Sequence, residues 1–140
     1  MPEFSNDFGK NLGKYAMMKG QKVERTIRAF TLEILKGVVM DTPVDTGRLK
    51  GNWQVSSGTP IFTEIDRTDQ TKKGSMGAEA AKEMANNINP LGVTYMTNNL
   101  PYAKVINDEG GKGGVNAGFV EKNMARVERN MREAVAHVKG

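Results

Sequence analysis

The sequence predicts an α+β domain in which two long amphipathic helices pack on one face of a small antiparallel sheet. Apolar residues recur at helical spacing over about 20–41 and again over about 118–138. Short stretches with strand character, around Trp53 and Val55 and again over 93–97, lie between these two helices. A chain of 140 residues is the right size for one such domain.

The N-terminal residues show no clear period, because Gly9, Gly13 and Gly20 interrupt their apolar positions. We expect residues 1–19 to form a flexible arm that becomes ordered only against a partner or a neighbouring subunit. Residues 20–140 then form the single α+β domain.

The chain is organised around a corner between the first long helix and the sheet, at residues 41–53 (DTPVDTGRLKGNW). Pro43 disfavours helical geometry at the preceding residue and is expected to end the helix. The Asp45 carboxylate is expected to accept hydrogen bonds from the backbone that follows, as an Asx turn or an N-cap. Gly47 permits a positive φ or the close approach of another backbone.

Between the two long helices we expect further extended structure, a loop and a short helix. Residues 61–65 look like a second strand after a turn at 58–60. Residues 66–77 are polar and are expected to form a flexible loop without anchors. A short helix over 77–88, capped by Ser75, completes this central insertion.

Residues 98–110 are expected to form a turn followed by one or two helical turns. Tyr102 and Ala103 should pack against the sheet, and Gly110 should end the short helix. The glycine-rich stretch at 110–114 is expected to be a mobile loop.

Composition argues against several classes of protein. The absence of cysteine excludes disulfides and thiolate chemistry. The absence of an apolar run of about 18 residues argues against a membrane span. His137 is the only histidine, and no metal-ligand or triad pattern surrounds it. We therefore expect no catalytic residues, no metal and no cofactor.

Two motifs resemble enzyme sites but lack the sequence context that those sites need. Asp45-Thr46-Gly47 is the tripeptide of aspartic proteases, in which two carboxylates share a proton. In that family it follows a strongly apolar strand, whereas Thr-Pro-Val precedes it here. The glycine loop at 110–114 could cradle an anion, but it lacks the spacing of a phosphate-binding loop. For the glycine loop, a hinge or subunit-contact loop is the favoured interpretation.

The formal net charge of +4 is unevenly distributed. Residues 1–30 and residues 112–140 each carry six Lys or Arg against three acids, whereas residues 31–111 carry eight against ten. Basic ends of this kind are typical either of solvated helix faces or of a protein with an anionic partner.

Three arginines, Arg126, Arg129 and Arg132, lie three residues apart on the last predicted helix. Such a strip could follow the phosphates of a nucleic acid or meet an acidic protein surface. Glutamates interleave with the arginines, and no aromatic residue lies among them to stack on bases. One alternative function is therefore a small basic nucleic-acid-binding protein that uses this helix.

Two segments, in this order, resemble the tail-completion or neck proteins of long-tailed bacteriophages, a group that also includes head–tail joining and minor tail proteins. Members of that family carry Thr-Pro-Val-Asp-Thr-Gly-x-Leu after an N-terminal helix, and residues 42–49 read TPVDTGRL. They also carry Asn-x-x-Pro-Tyr-Ala, an apolar pair and Glu-x-Gly, and residues 98–110 look similar (NNLPYAKVINDEG). The order and spacing extend over residues 20–138.

The resemblance implies a structural virion protein rather than an enzyme. Subunits would assemble as a ring, which we expect to be hexameric, to complete the tail or join it to the head. The implied partners are other copies of the chain, neighbouring head–tail connector, tail terminator or tail tube proteins, and DNA in the lumen. Assembly would take place in the host cytoplasm, and the protein would reside in the neck or tail of the virion.

Contacts between subunits or with partners are expected at the two motifs. Arg48 and Glu109 are expected to form an ion pair within or between subunits. The expected contact residues are Asp45, Arg48, Leu49, Trp53, Tyr102, Glu109 and Lys112. DNA or an acidic partner is expected to meet Arg126, Arg129 and Arg132.

Overall fold

The computed structural model describes residues 6–20, 22–71 and 76–136, with residues 6–10 described by their backbone alone. Within these ranges the chain combines six α-helices with a two-stranded antiparallel sheet, so the predicted α+β class is confirmed. The elements are α1 (Asn6–Met18), α2 (Val23–Asp41), α3 (Arg48–Gly51), β1 (Trp53–Ser57), α4 (Ala78–Asn87), β2 (Thr94–Asn98), α5 (Ala103–Glu109) and α6 (Phe119–Ala136).

Helix α1 occupies the described part of the segment predicted to be a flexible arm. Leu12 and Ala16 are buried, and α1 contacts both α2 and α6. The ring of Tyr15 lies 6.2 Å from that of Phe30 on α2, between ring centroids. The segment differs from the prediction because apolar residues four positions apart form one face, which the two long helices cover.

The core lies between α2, α4, α6 and the first strand. Its two largest aromatic side chains, Trp53 and Phe119, meet edge to face with their ring centroids 6.4 Å apart. The buried residues of this core cluster are Leu35, Val38, Val39, Trp53, Val55, Met84, Ile88 and Phe119.

The carboxyl end of α2 is locked to the amino end of α6. A Cβ placed on Gly37 would lie 2.1 Å from the side-chain oxygen of Asn123, so only glycine allows the two helices to approach this closely. The Asn123 amide donates to the Asp41 carboxylate at 2.9 Å and to the Phe119 carbonyl at 2.8 Å. These bonds satisfy a polar side chain that is itself buried.

The sheet pairs strands that are distant in sequence. Trp53 lies opposite Asn98, and Ser57 lies opposite Thr94. The strand predicted at 61–65 is not formed, and that prediction is wrong. Side chains from the corner and from β1 bind this backbone instead, since the Gln54 amide donates to the Thr63 carbonyl at 2.6 Å.

Helix α4 matches the short helix predicted in the central insertion. Its Ala80 and Met84, and Ile88 just after it, are buried, as the apolar spacing predicts. The predicted cap at Ser75 lies outside the described residues.

Residues 66–71, predicted to lack anchors, are fixed firmly to the corner, so this prediction is wrong. The Arg67 guanidinium donates to the Gly51 carbonyl and to the Trp53 carbonyl, each at 2.7 Å. Its remaining nitrogen lies 2.6 Å from the Glu83 carboxylate on α4. A single arginine thus ties the loop to α3, to β1 and to α4.

Asp69 is the second anchor of this loop and is buried. Its backbone N–H donates to the Gly47 carbonyl at 2.8 Å. Its carboxylate accepts from the Thr71 N–H at 3.0 Å, from the Thr71 hydroxyl at 2.6 Å and from the Gly77 N–H at 3.1 Å. Lys50, also buried, donates to the Thr71 carbonyl at 3.3 Å.

Candidate functional site

The corner after α2 forms as its sequence predicts. Helix α2 ends at Asp41, and Thr42, the residue before Pro43, is extended with φ −62° and ψ 123°. Gly47 adopts φ +87°, and a Cβ there would lie 2.7 Å from the Asp69 carbonyl oxygen. Both predicted reasons for a glycine at this position are confirmed.

The predicted Asx turn or cap at Asp45 is wrong. The Arg48 N–H donates to the Thr46 hydroxyl at 3.2 Å, so Thr46 satisfies the backbone at the start of α3. The exposed Asp45 side chain forms no hydrogen bond with any described residue. Its carboxylate is therefore left on the surface of the corner.

Trp53, predicted as a partner contact, belongs to the core instead. Its indole N–H donates to the Thr42 hydroxyl at 2.8 Å, and that hydroxyl donates to the Val38 carbonyl at 2.6 Å. This relay joins β1 to the last turn of α2. The indole N–H of a buried tryptophan needs a hydrogen-bond acceptor. Nothing in the sequence around Trp53 shows that Thr42 provides it.

The two segments that carry the resemblance meet in space. The Asn98 amide donates to the Leu49 carbonyl at 2.8 Å, which joins the start of the second segment to the end of the first. Gly111, the residue that follows the second segment, packs on Pro43 so closely that a Cβ at Gly111 would lie 2.7 Å from the Pro43 Cβ. The first segment is thus held to the start of the second segment and to the residue just after its end.

Helix α5 connects these two points. It ends at Gly110, as predicted, where φ is +82° and the N–H donates to the Ile106 carbonyl at 2.7 Å. Tyr102 does not pack into the sheet as predicted, because its side chain is 40% exposed. Leu100, only 3% exposed, anchors this segment in its place.

Between the two segments lies an open groove of about 690 Å³, which we call the corner groove. Val44 and Tyr102, both large and 42% and 40% exposed, stand on opposite sides of it. A recess of about 410 Å³ adjoins it and includes Val115, which is 48% exposed. Three exposed large apolar side chains thus lie around the groove and the adjoining recess.

The charges of the corner groove are few and balanced. Among the described residues that line it, Asp45 carries the one carboxylate and Lys112 the one ammonium, and both are exposed. Leu49, one of the predicted contact residues, is only 7% exposed and contributes to its wall. A mainly apolar groove with one charge of each sign suits a protein surface better than a small anion.

The predicted pair between Arg48 and Glu109 is not formed within the subunit. The Arg48 guanidinium lies 3.8 Å from the Glu64 carboxylate, and both side chains are about half exposed. Glu109 is exposed and forms no ion pair with a described residue. A pair between neighbouring subunits stays a prediction.

The three arginines of α6 are exposed, as predicted, but two of them are engaged within the helix. The Arg126 guanidinium donates to Asn123 at 3.2 Å, and the Arg132 guanidinium lies 3.1 Å from the Glu128 carboxylate. The strip therefore offers less uncompensated positive charge than its sequence indicates.

Neither a metal site nor a membrane span is found in the described ranges. No group of three or more His, Cys, Asp or Glu residues within 6–20, 22–71 and 76–136 could hold a metal ion. None of the described helices is both long and apolar enough to cross a bilayer. His137 lies outside these ranges.

Fold and groove together define an α+β chain with an exposed, mainly apolar groove built from two distant segments. Comparisons with protein-family models, with curated proteins and with solved structures gave no match. The phage resemblance therefore rests on the residues of the two motifs.

Proposed function

We propose that this chain is a structural protein of the neck or upper tail of a long-tailed bacteriophage virion. Six copies would form a ring that completes the tail or joins it to the head. One observation carries the proposal: the two segments of the resemblance, residues 42–49 and 98–110, meet at the corner groove.

The exposed apolar side chains around the groove give this ring its driving force. Val44 and Tyr102 line the groove, Val115 lines the adjoining recess, and Val105 on α5 is 50% exposed. Covering each of them with a neighbouring subunit would contribute on the order of 1 kcal/mol. If the groove receives a different surface of the next subunit, the interface is a head-to-tail contact. Repeated contacts of this kind form a closed ring when the rotation between successive subunits adds up to a full turn.

Within the proposed subunit, α2 and α6 cover one face of the sheet. Trp53 and Val55 alternate with Gln54 along β1 and so project from the same face. Both belong to one buried cluster with residues of α2 and α6, whereas Gln54 binds the backbone of the 61–65 segment. This arrangement would hold the corner rigid while the groove stays open to a neighbour.

Native mass spectrometry combined with negative-stain imaging, over a protein concentration series, tests the proposal. The wild-type chain should form a closed ring, and a Val44→Glu/Tyr102→Glu variant should stay monomeric because two charges would enter the interface. The matched control is Phe62→Glu/Leu91→Glu, since these side chains are 79% and 78% exposed and do not line the groove. This control should keep the ring.

Two results would contradict the proposal. One is a wild-type chain that stays monomeric at every concentration. The other is an equal loss of assembly in the groove variant and in its control.

The alternative predicted from the sequence, nucleic-acid binding through α6, has weaker support. Arg126 and Arg132 already bind neighbouring side chains of the same helix. Replacing Arg126, Arg129 and Arg132 by alanine tests this alternative, because DNA affinity that depends steeply on salt should then be lost.

A further inference from the structure

A second, strongly basic groove lies at the amino end of α2, away from the corner. Its volume is about 500 Å³, and we call it the α2 groove. Among the described residues that line it are three cations and a single acid, which give a net charge of +2. The residues that line it are Gly20, Lys22, Glu24, Arg25, Arg28 and Pro90.

The three cations lie at the start of α2. Arg25 and Arg28 are three residues apart on the helix, the spacing at which side chains are neighbours, and Lys22 is the extended residue that precedes the helix. All three are exposed, and none forms an ion pair with a carboxylate in the described ranges. The corresponding strip on α6 lacks this property, because Arg132 is paired with Glu128.

The groove is open but its walls are fixed. The Arg28 guanidinium donates to the Ala85 carbonyl of α4, which orients it from below. Pro90, in the turn after α4, is a further lining residue. Gly20, between α1 and α2, also lines the groove.

We propose that the α2 groove binds the sugar–phosphate backbone of double-stranded DNA. A helix rises about 1.5 Å per residue, so Arg25 and Arg28 stand roughly 4.5 Å apart along its axis. Together with Lys22 just before the helix, their long side chains can reach neighbouring phosphates. Lys19 is exposed just before the groove and adds a further positive charge. The proposal does not depend on ring formation, since one subunit contains the whole groove.

An anionic membrane fits this surface less well. A helix that lies on a bilayer needs a continuous apolar face beside its cations. Of the exposed positions on α2, Val23 alone carries a large apolar side chain, and it is only 37% exposed. Helix α2 itself therefore presents its charge without the continuous apolar face that membrane binding requires.

Fluorescence anisotropy with a labelled random-sequence duplex of about 30 base pairs, over a KCl series from about 0.02 to 0.2 M, tests the proposal. Each phosphate contact contributes about 0.9 to the slope of log affinity against log salt. The Lys22→Ala/Arg25→Ala/Arg28→Ala variant should therefore lose about 2.7 from the steepness of that slope.

The matched control removes the same charge elsewhere. Arg126→Ala/Arg129→Ala/Arg132→Ala lowers the net charge by the same amount and should change the slope by less than about 1. If loss of the Arg28 bond to α4 unfolds the triple variant, as circular dichroism would show, Lys22→Ala/Arg25→Ala replaces it and should lose about 1.8.

The proposal is overturned by any of four results. The first is no DNA binding by the wild-type chain at about 0.02 M salt. The second and third are a salt slope that falls equally in the α2 and α6 variants, and a salt slope that falls in the α6 variant alone. The fourth is stronger binding to phosphatidylserine vesicles than to DNA. Native mass spectrometry of the same variants keeps the ring proposal separate, because ring formation and DNA affinity are measured independently.

Discussion

Replacing Asp69 by asparagine is expected to loosen the 61–71 segment from the corner. The carboxylate, on a residue only 8% exposed, accepts two hydrogen bonds from Thr71 and one from Gly77. Asparagine keeps the size of the side chain but loses the negative charge. The asparagine NH₂ group must also face the backbone N–H of either Thr71 or Gly77. Two hydrogen-bond donors then face each other, whichever way the amide is turned.

The expected cost follows from these contacts. A hydrogen bond to a charged acceptor contributes about 1.5–3 kcal/mol, and a buried donor left without its acceptor costs about 1–3 kcal/mol. Asp69→Asn also removes the negative charge that acts on the buried Lys50. We expect the free energy of unfolding to fall by about 2–4 kcal/mol.

The effect should depend on pH in a defined direction. Burial raises the pKa of the Asp69 carboxyl, but the hydrogen bonds from Thr71 and Gly77 and the charge of Lys50 outweigh it and hold the pKa below its ordinary value. Ionised Asp69 therefore contributes stability above the unfolded-state pKa, and this contribution is lost as pH falls through the folded-state pKa. The wild type and the variant should differ fully at neutral pH, and the difference should begin to shrink only as pH falls below about 4.

Urea denaturation followed by the fluorescence of Trp53, at neutral pH and through an acid series, measures both effects. Asp66→Asn is the control, because Asp66 is an exposed acid of the same segment. If the two variants differ from one another by less than about 0.5 kcal/mol, Asp69 does not anchor the segment.

Three further substitutions test the packing of the corner and of α1. Thr42→Val should lower the free energy of unfolding in urea by about 1–3 kcal/mol, because the Trp53 indole N–H loses its acceptor. Thr42→Ser keeps the hydroxyl and should keep most of that stability. Equal losses in the two variants would contradict the relay. Gly51→Ala should cost more than about 1 kcal/mol, since its Cβ would lie 2.4 Å from the Arg67 carbonyl oxygen; an unchanged melting temperature would contradict this close contact. Gly13→Ala, with nothing within 4 Å of the new Cβ, should raise the free energy of unfolding by about 0.5–1 kcal/mol, and a loss of stability would show that α1 packs differently.

The long helices and the ends of elements could be predicted from the sequence because local forces set them. The apolar spacing of α2 and α6 forms one face whatever lies opposite it. Pro43 restricts the residue before it, and Gly47 and Gly110 adopt positive φ where other residues would be strained. Each of these effects acts within a few residues along the chain.

The predictions that were wrong depended on contacts between distant residues. The 61–65 segment has strand-like composition, but its backbone binds Gln54 and so does not join the sheet. The loop after it looks featureless, yet Arg67 finds three partners on three different elements. Composition cannot reveal which carbonyl a side chain will reach.

The candidate site likewise has features that could be predicted from the sequence and features that depend on contacts between distant residues. The two motifs, their order and the basic character of the chain's ends can be read directly from the sequence. Long-range packing, in contrast, turns Trp53 inward to bind Thr42 while Tyr102 stays exposed, and it brings the two motifs to one groove. It also decided which cations are neutralised, because ion pairing depends on side chains approaching within a few ångströms, a separation that sequence spacing does not fix between elements.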